Sequence, residues 1–368
     1  MAITALHPLH RELGARLVDF AGWELPVQFA GIIAEHQHTR SHASLFDVSH
    51  MGQVLVTPLS GDLADAAAAL ESLIPASAAG LAEGRQRYGL ITTDDGGVVD
   101  DLMFANRGDH FLLVLNAART SVDLERLRAL DGITVEHLTD RSLLALQGPS
   151  ASEALATLIP EVADLTFMDS VALTWDGTKV WVSRSGYTGE DGFEISVPNE
   201  RAVEFARALL ALDAVAPAGL GARDSLRLEA GMPLYGHELS EQISPVEAGL
   251  GWAIPKVRRP GGSRAGGYPG SATIEDQLTD GPARERIGLR IDGRAPVREG
   301  AAVFADEDAS EPIGSVTSGG FAATLGGPVA MALVETGSAG ERVYAEVRGR
   351  RVAATVTPMP FVPHNYHR

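Results

Sequence analysis

Hydrophobic and polar residues alternate along most of the chain in short blocks that predict strands and helices in turn. From residue 52 onward, the pattern predicts a strand over 52–59, a helix over 60–75, three strands within 87–117 and a helix over 121–130. After residue 141 it predicts a helix near 150–159, a hairpin turning at Asp176-Gly177, a strand over 191–197 and helices over 199–212 and 221–230. Because hairpin-length turns cannot join parallel strands, we expect an α+β protein with antiparallel pairing.

The last third of the chain has a different pattern. Beyond residue 287 nearly every block is a short strand, and the even spacing is typical of a small barrel or sandwich. The stretch before it, 255–271, is rich in Gly, Pro and Arg and predicts a linker or a mobile loop. We therefore expect a C-terminal all-β domain that begins between residues 275 and 286.

Two adjacent carboxylates interrupt one predicted strand, GGVVDDLMFA over 96–105. A buried charge costs several kcal/mol, on the order of that stated for buried ions, unless a partner compensates it. Because neighbours in a strand point to opposite faces, we expect Asp101 to share its face with Val99 and Met103, and Asp100 to lie on the other face. Either one carboxylate caps a turn while the other is solvated, or one carboxylate binds a polar ligand.

Two further polar residues lie in glycine-rich surroundings. Glu194 follows GYTGEDGF and faces away from the apolar side of its strand, so it is either an exposed residue of a hairpin or a ligand-binding carboxylate. Arg223 lies in the first turn of a predicted helix, where the helix dipole disfavours a cation by a few tenths of a kcal/mol. It pairs either with Asp224 or Glu229, or with an anionic or carbonyl group such as a ligand or Glu194.

Three histidines near the N-terminus raise the question of a metal site. His38 and His42 have the i,i+4 spacing that can chelate a metal, and His36 precedes them. No HExxH motif accompanies them, so we interpret them as a solvated helix face and expect no metal.

Composition narrows the function classes. The chain has 368 residues, which favours two or three domains, and 30 Lys+Arg against 48 Asp+Glu, which argues against nucleic-acid binding. It has no cysteine, which excludes disulfides and thiolate catalysis and fits a reducing, cytoplasmic location. We expect no signal peptide, no membrane span and no nucleotide cofactor, because the corresponding apolar segments and glycine motifs do not occur.

Several long sequence blocks resemble one known family. They are LVDFAGWELPVQ (17–28), SLFDVSHMG (44–52), GGVVDDL (96–102), GYTGEDGFEISVP (186–198), GLGARDSLRLEAGMPLYG (219–236), VTSGGFAATLG (316–326) and MPFVPHNY (359–366). In this order, across nearly the whole chain, they are similar to the T proteins of the glycine cleavage system, the tetrahydrofolate-dependent aminomethyltransferases.

The resemblance implies a three-domain clover leaf around a central folate channel. Residues 1–275 would form two interleaved α+β domains, approximately 1–56 with 141–172 and 241–275, and 57–140 with 173–240. Residues 276–368 would form a β-barrel. The implied reaction takes the one-carbon unit from the aminomethyl-lipoyl arm of the partner H protein to tetrahydrofolate, a co-substrate. It releases ammonia and yields 5,10-methylenetetrahydrofolate.

The resemblance also implies roles for single residues. The second Asp of GGVVDDL, Asp101, would be the catalytic carboxylate, which orients the folate and stabilises the positive charge that develops during transfer. Glu194 would accept two neighbouring N–H groups of the pteridine, and Arg223 would donate to its carbonyl group or hold Glu194. The aromatic residues implied at the folate site are Tyr88, Tyr187 and Tyr366.

Two relatives of this family are alternatives. One is a folate-dependent demethylase of a methylated sulfur or amine compound; some of these carry a flavin domain that this chain lacks. The other is a non-catalytic folate-binding accessory protein, whose cysteine motif is absent here. This chain departs from the family pattern over 258–278. In and just before this segment, Lys256, Arg258, Arg259 and Arg264 form a basic patch. We interpret that patch as a solvated loop, with docking of an acidic partner as the alternative.

Overall fold

The computed structural model describes residues 1–368 and contains eight α-helices, three short 3-10 helices and nineteen strands. The helices are α1 (His7–Glu12), α2 (Ile32–Ser41), α3 (Leu63–Glu71), α4 (Thr120–Arg128), α5 (Ala151–Ala156), α6 (Asn199–Leu210), α7 (Leu220–Glu229) and α8 (Ser271–Asp280). The first strands are β1 (Arg16–Phe20), β2 (Trp23–Gln28), β3 (Ala43–Asp47), β4 (Gly52–Pro58), β5 (Gln86–Thr92), β6 (Val98–Asn106), β7 (Phe111–Leu115), β8 (Ile133–Leu138) and β9 (Arg141–Gln147). The remaining strands are β10 (Ser170–Trp175), β11 (Thr178–Ser183), β12 (Gly192–Pro198), β13 (Val215–Pro217), β14 (Arg284–Ile291), β15 (Ala302–Phe304), β16 (Gly314–Ala322), β17 (Gly327–Glu335), β18 (Arg342–Val347) and β19 (Arg350–Thr357).

The first unit is a six-stranded sheet in the order β10-β11-β12-β9-β3-β13, antiparallel except for the β3–β13 pair. All five residues of β3 are buried because the sheet is covered on both faces. On one face, side chains of α1, α5 and α6 form the largest core of the protein. On the other face, Ala222 and Leu226 of α7 pack against Phe46.

The second unit is a five-stranded antiparallel sheet in the order β5-β6-β7-β4-β8, which draws on residues 52–138. Helices α3 and α4 cover one face and bury Phe104 and Phe111 in a core of their own. The helix predicted over 60–75 begins at Leu63, because the Asp62 side chain caps it by accepting the Ala64 N–H at 2.9 Å.

Strand pairing divides the chain differently from the expected partition. We expected 173–240 to join 57–140, but β11, β12 and β13 lie in the first unit beside β9 and β3. A tight hairpin at Asp176 joins β10 to β11, so these two strands must share a sheet.

The third unit is a closed six-stranded barrel in the order β14-β17-β16-β15-β18-β19, which confirms the expected C-terminal β-barrel. Its interior is filled by apolar side chains such as Leu289, Val303 and Val343. The first barrel strand begins at Arg284, and residues 271–280 form helix α8 before it. No helix is long and apolar enough to cross a membrane.

The three units meet at α7 and at the segment over 235–253. Leu228 of α7 packs against barrel residues such as Val329. Leu239 and Leu250 of the segment pack between Leu90 of β5 and the barrel. The residues predicted to carry chemistry lie around this junction.

Candidate active site

A β-bulge in β6 determines which side chains share a face of the second sheet with Asp101. A register shift between β5 and β6 leaves Val99 as an extra residue. Val99 consequently packs into the core under α3 and α4, whereas Val98 packs with Leu90, which lies opposite Asp101. The expectation that Val99 shares the face of Asp101 is therefore wrong: the bulge puts Val98 there.

Asp101 accepts two side-chain hydrogen bonds. The Tyr88 hydroxyl donates to Oδ2 at 2.9 Å, and the Asn116 amide donates to Oδ1 at 2.7 Å. The Tyr88 ring stacks on Trp252, a residue that is 64% exposed, with the centroids 5.5 Å apart. Burial, and then the neighbouring Asp100, raise the pKa of Asp101 to about 7, because these effects exceed the opposing hydrogen bonds. A carboxyl group with this pKa can change its protonation state near neutral pH.

Asp100 is fully buried and has different neighbours. It accepts the backbone N–H of Asn116 at 3.2 Å and the Asn116 amide at 2.9 Å, and it lies beside Asp123 of α4. Burial, and then Asp123, raise the pKa of Asp100 to about 9. The hydrogen bonds that Asn116 donates to both carboxylates reduce the penalty of burying two adjacent acids.

Tyr187 and Arg223 lie next to each other. The guanidinium of Arg223 lies over the Tyr187 ring, 4.8 Å from its centroid, and the Tyr187 hydroxyl donates to the Pro233 carbonyl oxygen. Burial raises the pKa of Tyr187, and Asp101 is close enough for its charge to add to this effect. Tyr187 therefore lies in contact with Arg223 and within electrostatic range of Asp101.

Arg223 does not make either of the ordinary pairings considered from sequence. Asp224 pairs with Arg227 at 2.9 Å, and Glu229 pairs with Arg40 at 3.1 Å. Nη1 of Arg223 is buried and has no hydrogen-bond partner in the protein. Burial lowers the pKa of Arg223. An unpartnered guanidinium nitrogen in a buried position indicates a binding site for an external acceptor.

Glu194 of β12 faces the same region. The Ser185 hydroxyl donates to its Oε2 at 2.7 Å, and Oε1 accepts no hydrogen bond from the protein. Glu194 is the nearby negative charge that counters the burial effect on the pKa of Arg223, although the two make no direct hydrogen bond. The structure thus brings together five of the predicted residues, which we call the central cluster: Tyr88, Asp101, Tyr187, Glu194 and Arg223.

Tyr366 lies elsewhere. Its ring stacks on Phe167 at 4.0 Å with an interplanar angle of 6°, and burial raises its pKa. The charges that affect it most strongly are Arg368, Arg40 and Glu190. No hydrogen bond or ring stacking joins it to the central cluster.

Sequence reasoning missed three residues at the site: Asn116, Trp252 and His50. His50 is 6% exposed, its Nδ1 has no partner, and burial lowers its pKa to about 4, with Arg223 adding to the effect. Asn116 could have been found from the sequence, because it is a polar residue at the end of the apolar stretch FLLVLNA. His50 could have been found because it lies in the SLFDVSHMG block, one of the blocks that resemble the family.

The N-terminal histidines divide into two kinds. His36 is fully buried and bonds Glu229 at 3.0 Å, so its interpretation as part of a solvated face is wrong. His38 and His42 are not buried, and their rings stack at 4.9 Å.

The basic segment over 255–271 is not a free linker. Arg258 is buried and donates to the Glu71 carbonyl oxygen at 2.6 Å, and Arg264 pairs with the Glu71 carboxylate at 2.9 Å. Arg259 donates to the carbonyl oxygens of Ile254 and Gly251. The segment is fixed against the end of α3 because its arginines satisfy carbonyl and carboxylate groups there, which leaves Lys256 as its remaining basic side chain.

Comparison with known proteins agrees with this architecture. The GCVT N-terminal domain matches residues 6–258, and the glycine cleavage T-protein C-terminal barrel domain matches residues 284–363. These two domains together define a folate-linked transferase architecture of two sheets and a barrel.

Individual relatives span the whole chain. The mitochondrial aminomethyltransferase of Gallus gallus is 44% identical, covering 99% of this chain and 93% of the relative. The aminomethyltransferase of Geobacillus kaustophilus is 40% identical, covering 97% of this chain and 98% of the relative. The crystal structure of glycine cleavage system aminomethyltransferase T from Bartonella henselae has a TM-score of 0.91 and 39% identity, covering 100% of this chain and 99% of that one. The chain belongs to the glycine cleavage T-protein family, and its function is that of an aminomethyltransferase.

Proposed function

We propose that the central cluster binds tetrahydrofolate as a co-substrate and that the protein transfers to it the one-carbon unit of an aminomethyl-lipoyl arm, with release of ammonia. The lipoyl arm belongs to the H protein, the partner implied by the family. The observation that carries the proposal is Arg223. Its Nη1 is buried without a hydrogen-bond partner, its guanidinium lies over the Tyr187 ring, and Glu194 is a nearby negative charge.

The donor and acceptor pattern of the cluster fits a pteridine. A pteridine presents an amino group and a ring N–H side by side, next to a carbonyl oxygen. Glu194 offers a carboxylate whose Oε1 accepts no bond within the protein, and a carboxylate accepts paired N–H groups well. Arg223 offers a free donor for the carbonyl oxygen. We assign the pteridine to these two residues, with Tyr187 beneath the guanidinium.

We assign Asp101 the role of acting on the reacting atoms. Its ionised form stabilises positive charge on the transferred carbon, and the Tyr88 hydroxyl and the Asn116 amide hold both carboxylate oxygens in position. Since its pKa is about 7, Asp101 can also carry a proton to the departing amine. Tyr366, by contrast, has contacts that support a role in fixing the C-terminal segment on Phe167, and we assign it no direct contact with folate.

One assay separates this function from its two alternatives. Aminomethylated H protein is incubated with the enzyme, with and without tetrahydrofolate, and ammonia release is measured. We expect folate to accelerate release at least tenfold and 5,10-methylenetetrahydrofolate to form in equal amount. A demethylase would leave the aminomethyl group in place, and an accessory protein would bind folate without turnover; either result contradicts the proposal.

The cellular location stays a prediction. The absence of cysteine favours a reducing, cytoplasmic location. Several relatives, such as the one from Dictyostelium discoideum, are named as mitochondrial proteins. Fractionation of the source cells would decide between these compartments.

A further inference from the structure

The loop between β11 and β12, over 184–191, carries two side chains on which the central cluster depends. The Ser185 hydroxyl donates to Glu194 Oε2 at 2.7 Å, and the Tyr187 ring lies beneath the guanidinium of Arg223, which is 4.8 Å from its centroid. None of the loop residues belongs to a helix or a strand, so the loop has no ladder of backbone hydrogen bonds to hold it. The side chains that bond this loop therefore also fix Tyr187 against Arg223.

Arg40 of α2 makes one such contact. Its Nη1 donates to the Thr188 carbonyl oxygen at 2.6 Å and to Glu190 Oε1 at 3.0 Å. Thr188 and Glu190 are buried, and the Arg40 side chain is only 11% exposed. Because water cannot easily replace a charge-assisted bond between buried groups, this contact constrains the loop more than an ion pair at the surface would.

The same guanidinium bonds helix α7, which carries Arg223. Its Nη2 donates to Glu229 Oε2 at 3.1 Å and to the Leu226 carbonyl oxygen at 3.4 Å. The Thr324 hydroxyl of the barrel donates to the same Glu229 oxygen at 2.7 Å. No other side chain makes hydrogen bonds to both the loop and α7. One planar group thus spans the two elements that bring Tyr187 and Arg223 together.

Two other contacts hold the loop without reaching α7. The backbone N–H of Asn365 donates to the Gly189 carbonyl oxygen at 2.8 Å, and its amide donates to Glu190 Oε2 at 3.0 Å. The Thr188 hydroxyl donates to Gln147 Oε1 of β9 at 2.9 Å. These bonds fix the loop to the C-terminal segment and to the first sheet, but they do not set its distance from α7.

We propose that Arg40 is a positioning residue for the folate site, because it bonds the loop and α7 together and so holds the Tyr187 ring beneath the Arg223 guanidinium. It acts through Tyr187 and does not contact the substrate. The inference rests on the proposed function, in which Arg223 and Tyr187 are assigned to the pteridine. A lysine cannot replace Arg40 in this role, since an ammonium donates from one point, whereas the guanidinium donates from two nitrogens to acceptors on different elements.

The test measures tetrahydrofolate affinity of the full chain by anaerobic calorimetric titration, together with the turnover of aminomethylated H protein. In Arg40→Lys we expect folate binding to weaken about fivefold, while kcat at saturating folate stays within about twofold of the wild type, because the groups around Asp101 are unchanged. The matched control is Thr324→Val. It removes a hydrogen bond from the same Glu229 carboxylate without touching the loop, so folate affinity should stay within about twofold of the wild type.

A double-mutant cycle shows whether Arg40 acts through Tyr187. Tyr187→Ala alone should weaken folate binding about tenfold, because it removes the ring beneath the guanidinium. In the Tyr187→Ala background, Arg40→Lys should weaken binding by less than about a further twofold, since the ring that Arg40 positions is gone. Additive losses in the two variants would overturn the proposal, because Arg40 would then act by another route.

Loss of the fold is separated from loss of positioning by near-ultraviolet circular dichroism. If Arg40→Lys has lost its fold, Glu190→Gln takes its place, since it weakens the bond between Arg40 and the loop and keeps the bonds to α7. That variant should weaken folate binding about threefold, and wild-type affinity in it would overturn the proposal. Equal losses of affinity in Arg40→Lys and Thr324→Val would also overturn it, because they would indicate a general structural role.

The binding data distinguish this inference from the proposed function. If the wild type binds no tetrahydrofolate, the proposed function is wrong and the role of Arg40 is wrong with it. If the wild type binds folate and Tyr187→Ala binds it more weakly, but Arg40→Lys binds it as the wild type does, only the role of Arg40 is wrong.

Discussion

Removal of one hydroxyl group, in Tyr88→Phe, isolates the hydrogen bond that keeps Asp101 ionised. The Tyr88 hydroxyl donates to the carboxylate at 2.9 Å and lowers the pKa of Asp101 against the effect of burial. The phenyl ring of the variant can still stack on Trp252, because that contact uses only the aromatic face. The substitution therefore changes the charge state of Asp101 and leaves the packing of the site intact.

The size of the effect follows from the type of bond that is lost. A hydrogen bond to a charged group contributes about 1.5–3 kcal/mol, and about 1.4 kcal/mol corresponds to one pKa unit. The pKa of Asp101 should rise by about 1–2 units from its value of about 7. At pH 7 the ionised fraction then falls from about one half to between roughly a tenth and a hundredth, so turnover should drop about 5- to 50-fold.

The assay is the pH profile of 5,10-methylenetetrahydrofolate formation under saturating folate, with Tyr344→Phe in the barrel as the matched control. Because the ionised form of Asp101 is the active one, activity is lost as the pH falls through its pKa. A raised pKa thus moves the acid limb upward, and activity should return above about pH 9.5. An acid limb that stays in place, or a loss that is the same at every pH, would refute the assignment of this hydrogen bond.

Three other predictions test the remaining parts of the site and the fold. Asp101→Asn should keep the folate affinity within about tenfold of the wild type and reduce turnover by about 10² or more, since it removes charge stabilisation in the transition state. An unchanged kcat would exclude Asp101 from the chemistry. Glu194→Ala should weaken folate binding by about tenfold or more in a calorimetric titration, and wild-type affinity would disprove the pteridine role. Glu71→Ala should lower the free energy of unfolding by about 2–4 kcal/mol, because it leaves the buried Arg258 and its neighbour Arg264 without their carboxylate. Urea unfolding measures this difference, with the exposed Glu83→Ala as the control. A stability equal to that of the control would show that the segment over 255–271 is held in another way.

The type of each regular element could be predicted from sequence because apolar spacing is a local property. The strands in 87–117, the hairpin at Asp176 and the helices at 199–210 and 220–229 agree with their patterns. The grouping of strands into sheets could not be read in this way. It depends on which distant strands meet, as when β3 pairs with β9 and β13, and no local pattern encodes that choice.

Two further features of the structure could not be predicted from the sequence, for other reasons. The bulge at Val99 changes which neighbours share the face of Asp101, and a strict alternation rule cannot anticipate an extra residue. The arginines of 255–271 look like a solvated patch, because a composition rich in glycine and proline gives no sign that Arg258 is buried. The resemblance to the family supplied Asp101, Glu194 and Arg223, but only the structure shows that Arg223 has no partner of its own.

Helix α7 has a consequence for how the molecule folds. One of its faces covers the first sheet through Leu226, and another places Leu228 against the barrel. Its buried Arg227 donates to Ser318 of the barrel at 2.8 Å, and its buried Glu229 accepts the Thr324 N–H at 2.8 Å. Without the barrel, both charged side chains would lose hydrogen bonds at a dehydrated surface. The chain should therefore unfold as one cooperative body, in which the C-terminal barrel stabilises the helix that presents Arg223.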